Sequence, residues 1–455
     1  MFQGYQCDIA LSHNWGQYSP FYKVPSDLPG VVPTQCDVTL VQLLSRHGAR
    51  FPTTDRSAQY NATISKVKSS ATNLTGSYQF LANYNYELGA EDLTPLGQQE
   101  LVNSGVGFFS RYERLAERST PFVRAGDQDR VVQSARKWSE GFHKAKVASG
   151  KISDDDYPYH IMEMSESDGM NNTLSHGLCQ AFEANRSGLP AQMEFRKTFL
   201  PSVVARLKKD LSTDDIDEVD ALSLMDMCPF TVVAETRFTP DITMFREDPS
   251  ANPFCALFNL REWEAYDYLQ SIGKYYGFGP GSSLGPTQGV GFVNELIARL
   301  TSSPVEDHTS VNHTLDMDPT TFPLDRRIYA DFSHDNDMIA IFSALGLFED
   351  VPALAQDRIM SIEETAGFAA SRLVPFGGRI AVERLSCEHS SKEMVRVILN
   401  GRVWPLSLCA IDDRGMCSLQ DFVQSLQFAA RGGLWDKCFN SHGPSPSSGT
   451  GIESF

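Results

Sequence analysis

A single histidine lies between two arginines in the segment RHGAR (residues 46–50), directly after an apolar run that ends at Leu44. The positive charges of Arg46 and Arg50 disfavour the imidazolium form of His47, and a neutral imidazole nitrogen is a nucleophile. Guanidinium groups also bind the oxygens of a phosphoryl group and stabilise the charge that develops during its transfer. The segment therefore predicts a histidine that attacks phosphorus and forms a phosphohistidine, which water then hydrolyses.

Two further polar clusters supply groups that such a reaction needs. Arg130 lies in AGDQDRVVQSARKW (residues 125–138), and His334 and Asp335 lie in YADFSHDNDMIAIF (residues 329–342). Arg130 and His334 add hydrogen-bond donors for a phosphate. The leaving alkoxide needs a proton, and Asp335 is the candidate general acid. Because such an acid must hold its proton at the working pH, we expect an acidic optimum.

Each cluster follows an apolar run typical of a strand. The runs are DVTLVQLLS (37–45), TPFVRAG (120–126) and RRIYADFS (326–333), and each gives way to a helical pattern. This alternation predicts an α/β fold with a mostly parallel sheet covered by helices. Ligands bind beyond the carboxyl ends of the strands in such sheets, so we expect the three clusters to share one crevice.

The middle of the chain has a different pattern, with long amphipathic stretches such as MEFRKTFLPSVVARLKKDL (193–211). We interpret these stretches as a smaller α-helical domain inserted into the sheet domain, and the polar C-terminal end as a disordered tail. The predicted domains are an α/β phosphatase domain at 1–54, 116–160 and 301–440, a mainly helical inserted domain at 55–115 and 161–300, and the tail at 441–455.

The composition excludes several classes of protein. The formal net charge is −18, which argues against a nucleic-acid partner. No apolar stretch approaches the roughly 18 residues that a membrane span needs, so no membrane contact is expected. We expect a monomer whose partner is a small-molecule phosphate ester.

Cysteines and glycosylation motifs indicate the compartment. The nine cysteines lack the C-x-x-C spacing of zinc or redox sites, so disulfide bonds are the better interpretation. Both disulfides and N-x-S/T motifs point to a secreted, extracellular protein. The five motifs begin at Asn61, Asn73, Asn171, Asn185 and Asn312.

The same residues allow simpler interpretations. Asp335 precedes a helical pattern and could cap that helix. His334, Asp335 and Asp337 could bind a metal ion, although nearby arginines would repel a cation. Arg130 could form surface ion pairs with the aspartates that flank it. We expect neither a metal nor a cofactor.

The motifs RHGARFP (46–52) and SHDN (333–336) together resemble those of the histidine acid phosphatases. A wider resemblance to the fungal phytases covers nearly the whole chain, including WGQYSPF (15–21) and LGPTQGVGFVNELIARLT (284–301). Fungal phytases are secreted enzymes that remove phosphate from myo-inositol hexakisphosphate (phytate). The resemblance implies this activity and an α/β domain beside an α-helical domain.

The resemblance also implies residue roles and disulfide pairs. It makes His47 the nucleophile and Asp335 the proton donor. It leaves Cys7 without a partner in this chain. Implied substrate-binding residues are Arg46, Arg50, Arg130 and His334 around the scissile phosphate, with Thr53, Gln17, Tyr18 and Lys274 lining the pocket. Implied disulfides are Cys36 with Cys387, Cys179 with Cys438, Cys228 with Cys255, and Cys409 with Cys417.

Three other functions remain open at this point. One is a broad-specificity acid phosphatase with little preference for phytate. Another is a phosphotransfer enzyme resembling phosphoglycerate mutase, which the glycosylation motifs and expected disulfides disfavour. The third is a catalytically inactive binding protein, which the presence of both His47 and Asp335 disfavours.

Overall fold

The structure is a computed structural model, and it describes residues 9–185, 188–235, 252–388 and 390–439. The predicted tail at 441–455 and the predicted unpaired Cys7 lie outside the described residues. Within them, no helix is long and apolar enough to cross a membrane.

The described residues form one eight-stranded mixed sheet with the spatial order β3-β2-β4-β1-β5-β6-β7, and β8 pairs with β6. Neighbours from β3 to β1 are parallel, and those from β1 to β8 are antiparallel. The strands are β1 (Cys36–Arg46), β2 (Phe122–Gly126), β3 (Ile161–Met164), β4 (Ile328–Ser333), β5 (Arg379–Cys387), β6 (Met394–Leu399), β7 (Arg402–Trp404) and β8 (Cys417–Ser418).

The three predicted strands β1, β4 and β2 lie side by side. Arg46 pairs with Ser333 at the ends of β1 and β4, and Phe332 of β4 pairs with Ala125 of β2. The carboxyl ends of all three strands therefore lie at one edge of the sheet. The predicted α/β fold is confirmed, with an additional antiparallel half beyond β1.

Helices cover both faces of this sheet. Those in the described residues are α1 (Ile9–Ser12), α2 (Thr54–Ser70), α3 (Pro95–Arg111), α4 (Glu113–Ala116), α5 (Asp129–Ala148), α6 (Gln180–Ala184), α7 (Gly188–Leu211), α8 (Glu218–Glu235), α9 (Leu260–Gly277), α10 (Gly285–Gln288), α11 (Val290–Thr301), α12 (His313–Asp316), α13 (Asp335–Ala344), α14 (Ala370–Leu373), α15 (Leu419–Ser425) and α16 (Gln427–Ala430).

The side chains of β1 point alternately to the two faces of the sheet, and each face packs against its own hydrophobic cluster. Val41 and Leu43 lie in a core cluster with Trp138 of α5 and residues of α3. Leu40 and Leu44 point to the other face and belong to a larger cluster that includes residues of α2, α7, α8, α9 and α13. Successive strand residues face opposite sides of a sheet, so β1 is buried on both faces. The division of the chain into two domains stays a prediction.

The four predicted disulfide bonds are confirmed. Cys36 is bonded to Cys387, and the two residues also pair between β1 and β5. The other bonds join Cys179 to Cys438, Cys228 to Cys255, and Cys409 to Cys417.

Candidate active site

The loop after β1 carries His47 and is held on both sides. The His47 N–H donates to the Ser333 carbonyl of β4 at 3.1 Å, and the Gly377 N–H donates to the His47 carbonyl at 3.0 Å. A Cβ on Gly48 would lie 2.4 Å from the Gly97 carbonyl oxygen of α3. Only glycine therefore lets the loop approach α3 this closely.

Helix α3 anchors the next residue of the loop. The Thr94 side chain accepts a hydrogen bond from the Gly97 N–H and so caps α3. The Thr94 N–H donates to the Ala49 carbonyl at 3.0 Å, and the Ala49 N–H donates to Glu100 Oε2 at 2.9 Å. Both polar groups of the Ala49 backbone thus bind α3 or its cap residue.

The ring of His47 is oriented for attack through one nitrogen. Its Nδ1 lies 2.9 Å from the Gly48 carbonyl oxygen. A carbonyl only accepts, so Nδ1 carries the proton and Nε2 keeps its lone pair. Burial lowers the pKa of His47 well below its usual value, and Arg46, Arg130 and Arg50 lower it further. Burial is the largest single cause of this lowered pKa, whereas the sequence analysis attributed the neutral imidazole to the flanking arginines.

Three arginines surround His47. The Arg46 guanidinium is buried, donates to the carbonyls of Gln17 and Val374, and lies over the Phe376 ring. Arg130 pairs with Glu91 at 2.9 Å rather than with its flanking aspartates.

The Nε atoms of these arginines lack an acceptor in the described part of the chain. Those of Arg46, Arg50 and Arg130 are buried and have no hydrogen-bond partner among the described residues. Buried donors normally find an acceptor, and a phosphoryl group supplies several oxygens at once.

Asp335 is the first residue of α13 and faces two cations. Its Oδ2 lies 2.7 Å from Lys274 Nζ of α9 and 3.4 Å from Arg46 Nη2. Burial raises the pKa of Asp335, but Arg46 and Lys274 outweigh burial and hold that pKa well below its usual value. The free protein therefore carries an ionised Asp335, whereas the sequence analysis expected a carboxyl that holds its proton.

Phosphate binding changes this balance. A phosphate dianion beside Arg46 and Lys274 offsets their charge, which raises the pKa of Asp335. Asp335 can then take up the proton that it later donates.

The simpler interpretations fit this geometry less well. The N-cap of α13 is His334, which makes no side-chain capping bond, and the Asp335 carboxylate points to Lys274. His334 Nε2 lies 3.1 Å from both carboxylate oxygens of Glu166. No group of His, Cys, Asp or Glu in the described part of the chain has the arrangement of a metal site.

The sequence-predicted residues converge on one cleft of about 670 Å³. His47, Arg50, Arg130, His334 and Asp335 line it, as do Gln17, Tyr18, Thr53 and Lys274. Arg46 lies behind this surface, with 1% of its area exposed.

Several cleft residues were missed by the sequence analysis, among them Arg56, Gln128, Glu166 and His176. Glu166 follows β3, whose carboxyl end lies at the same sheet edge as β2. Assigning that short strand would have pointed to Glu166.

A profile of the Histidine phosphatase superfamily (branch 2) matches residues 37–400, which include the parallel half of the sheet except Cys36, the first residue of β1. The chain belongs to this family. It is 49% identical over 441 residues to a protein named Phytase A from Aspergillus oryzae, covering 96% of this chain and 92% of the relative. It is 46% identical over 439 residues to Phytase A from Aspergillus fumigatus, with the same coverage of both chains.

Two solved structures share the fold. The phytase from D. castellii superposes with a TM-score of 0.75 at 22% identity, covering 95% of this chain and 88% of that one. A multiple inositol polyphosphate phosphatase from Bifidobacterium longum, solved in complex with inositol hexasulfate, has a TM-score of 0.63 at 12% identity. That match covers 91% of this chain and 97% of the other.

Proposed function

We propose that this histidine acid phosphatase is a phytase, which removes phosphate from myo-inositol hexakisphosphate and from other phosphomonoesters through a phosphohistidine on His47. One observation carries the proposal. His47 is neutral, and its Nδ1 proton is held by a backbone carbonyl, so Nε2 keeps its lone pair. The His47 ring lines a cleft surrounded by arginines.

The reaction has two steps. The guanidinium groups of Arg46, Arg50 and Arg130, together with His334, bind the phosphate oxygens. His47 Nε2 attacks phosphorus, the P–O bond to the alcohol breaks, and Asp335 gives its proton to the leaving oxygen. Asp335 then accepts a proton from water as that water attacks phosphorus, and the bond to His47 breaks to release phosphate.

The size and charge of the cleft support phytate as the substrate. The cleft of about 670 Å³ extends beyond the catalytic residues to Arg56, which supplies positive charge for the remaining phosphates. The two Aspergillus relatives are named Phytase A, and their names also support phytate as the substrate.

Disulfides and glycosylation motifs support a secreted, extracellular protein. Four disulfide bonds occur in the described residues, and such bonds persist in oxidising compartments. The side chains of Asn61 and Asn185 are exposed and begin N-x-S/T motifs, so both are open to glycosylation.

The direct test measures phosphate released from phytate and from an aryl phosphate at acid pH, with a chelator present. His47→Ala is the control for contaminating phosphatases. We expect the wild-type protein to hydrolyse phytate and the control to be inactive. A higher kcat/KM for the aryl ester would indicate a broad acid phosphatase. Phosphate transfer to an alcohol without release would indicate a mutase, and binding without turnover an inactive protein.

A further inference from the structure

The peptide group between Gly48 and Ala49 makes a hydrogen bond at each end. Its carbonyl oxygen lies 2.9 Å from His47 Nδ1, and its N–H donates to Glu100 Oε2, also at 2.9 Å. The peptide bonds of the described residues are all trans, so the N–H and C=O of this planar group point in opposite directions. Glu100, this peptide group and the His47 ring therefore form one hydrogen-bonded chain.

Glu100 reaches the loop because α3 packs closely against it. A Cβ on Gly97 would lie 1.9 Å from the Ala49 carbonyl oxygen. Glu100 lies three positions further along α3 and so on the same face as Gly97. The Phe21 N–H also donates to the Glu100 carboxyl group. The helix and this second bond together fix the direction from which the carboxyl group meets the Ala49 N–H.

The contact with Glu100 affects how firmly the His47 proton is held. Hydrogen bonds in a chain polarise one another, so an acceptor for the Ala49 N–H makes the Gly48 carbonyl a stronger acceptor. Without Glu100 the Ala49 N–H would lack a partner, and the peptide group would be free to rotate toward another acceptor. Gly48 has no Cβ to resist that rotation. The Nδ1–H would then lose its acceptor, and Nε2 would no longer be directed at phosphorus.

The contact needs an acceptor oxygen rather than a charge. Burial raises the pKa of Glu100 to about 8, although the Ala49 N–H, Arg379 and the Phe21 N–H act against burial. Below that pH the carboxyl group is neutral in the free protein, and it still accepts from the Ala49 N–H. Glutamine, which is also neutral and keeps one such oxygen, therefore mimics Glu100 at acid pH.

We propose that Glu100 is a positioning residue that holds the His47 ring for attack through the Gly48–Ala49 peptide group. The side chain acts on the ring by way of this peptide group and does not touch the substrate. The part of the proposal that concerns turnover rests on the proposed function. The part that concerns the Nδ1 proton does not.

The test compares Glu100→Met, which keeps the length of the side chain but removes the acceptor, with Glu100→Gln, which keeps the acceptor. Glu100→Met should lower kcat/KM for an aryl phosphate at acid pH by about 10²-fold, since a small displacement of a reacting group has an effect of this size. Its Kd for inorganic phosphate should stay near the wild-type value, because the arginines bind the phosphate oxygens. Glu100→Gln should recover most of the lost kcat/KM.

A matched control makes the same substitution at the preceding position of α3. Gln99 donates to Asn103 Oδ1 of the same helix at 3.0 Å, and Gln99→Met should leave kcat/KM unchanged. An equal loss in Gln99→Met overturns the proposal. So does a Glu100→Met enzyme with wild-type kcat/KM, or a Glu100→Gln enzyme as impaired as Glu100→Met.

Proton NMR tests the contact without any turnover. The hydrogen-bonded Nδ1–H should give a low-field resonance that is absent from His47→Ala. This resonance should move upfield or disappear in Glu100→Met and stay in place in Glu100→Gln, even if the protein hydrolyses no ester. If Glu100→Met does not fold, Glu100→Asp withdraws the acceptor by one methylene and should show the same changes to a smaller extent. An unchanged resonance in Glu100→Met or Glu100→Asp contradicts the proposal.

Discussion

Replacing Asp335 by asparagine removes one negative charge and the proposed proton donor while keeping the size of the side chain. Asp335 lies 2.7 Å from Lys274 Nζ and 3.4 Å from Arg46 Nη2. Lys274 also donates to Asn336 Oδ1 at 2.6 Å, so it keeps one partner in the variant. We expect the fold to persist with lower stability.

The kinetic and thermodynamic effects have different magnitudes. General acid catalysis contributes about 10²–10⁴-fold, which corresponds to about 3–5 kcal/mol at 1.36 kcal/mol per tenfold change. An alkyl phosphate should lose this factor in kcat/KM, whereas an aryl phosphate, whose phenolate leaves unaided, should lose less than about tenfold. Removing one partner of a buried ion pair costs about 3 kcal/mol of unfolding free energy.

The assay compares kcat/KM for both esters, since this ratio reports the first chemical step and not the hydrolysis of the phosphohistidine. Thermal melting measures the accompanying loss of stability. Equal losses for the two esters would refute proton donation and assign Asp335 to positioning. A large loss of stability with near-normal kinetics would assign it a purely structural role.

Two further predictions follow from the site. Lys274→Gln removes a charge that holds the pKa of Asp335 down, so the carboxyl should stay protonated to higher pH. In a pH profile of kcat for an alkyl phosphate, the alkaline limb should therefore move to higher pH. Gly48→Ala places a Cβ 2.4 Å from the Gly97 carbonyl and should reduce turnover by at least about 10²-fold through displacement of the loop. Gly107→Ala, where a Cβ meets nothing within 4 Å, should instead leave activity unchanged and stabilise α3 by about 0.5–1 kcal/mol. A fully active Gly48→Ala enzyme would contradict this account of the loop.

The convergence of three strand ends was predictable because each apolar run stops at a polar cluster. In β1, β2 and β4 most apolar residues are buried, and they lie on both faces, which makes the runs nearly continuous in sequence. Once such runs are assigned to a parallel sheet, His47, Arg130 and His334 must lie at the same edge.

Other features depend on contacts between distant segments. The ionisation of Asp335 depends on Lys274, which is 61 positions away, and no local pattern reveals that pair. Strand β3 has four residues, three of which are not fully buried, so its apolar pattern is too weak to place Glu166. Burial is the largest cause of the lowered pKa of His47, and burial belongs to the folded chain rather than to the RHGAR motif.

The proposed mechanism depends most directly on a covalent bond between His47 and phosphorus. A rapid alkaline quench of the enzyme turning over phytate, followed by peptide mapping by mass spectrometry, preserves and locates an acid-labile phosphohistidine. We predict phosphate on the peptide that contains His47 in the wild-type enzyme, and none in His47→Ala, which should still bind inorganic phosphate through its arginines. Turnover without any phosphorylated peptide, or substantial activity in His47→Ala, would contradict the mechanism.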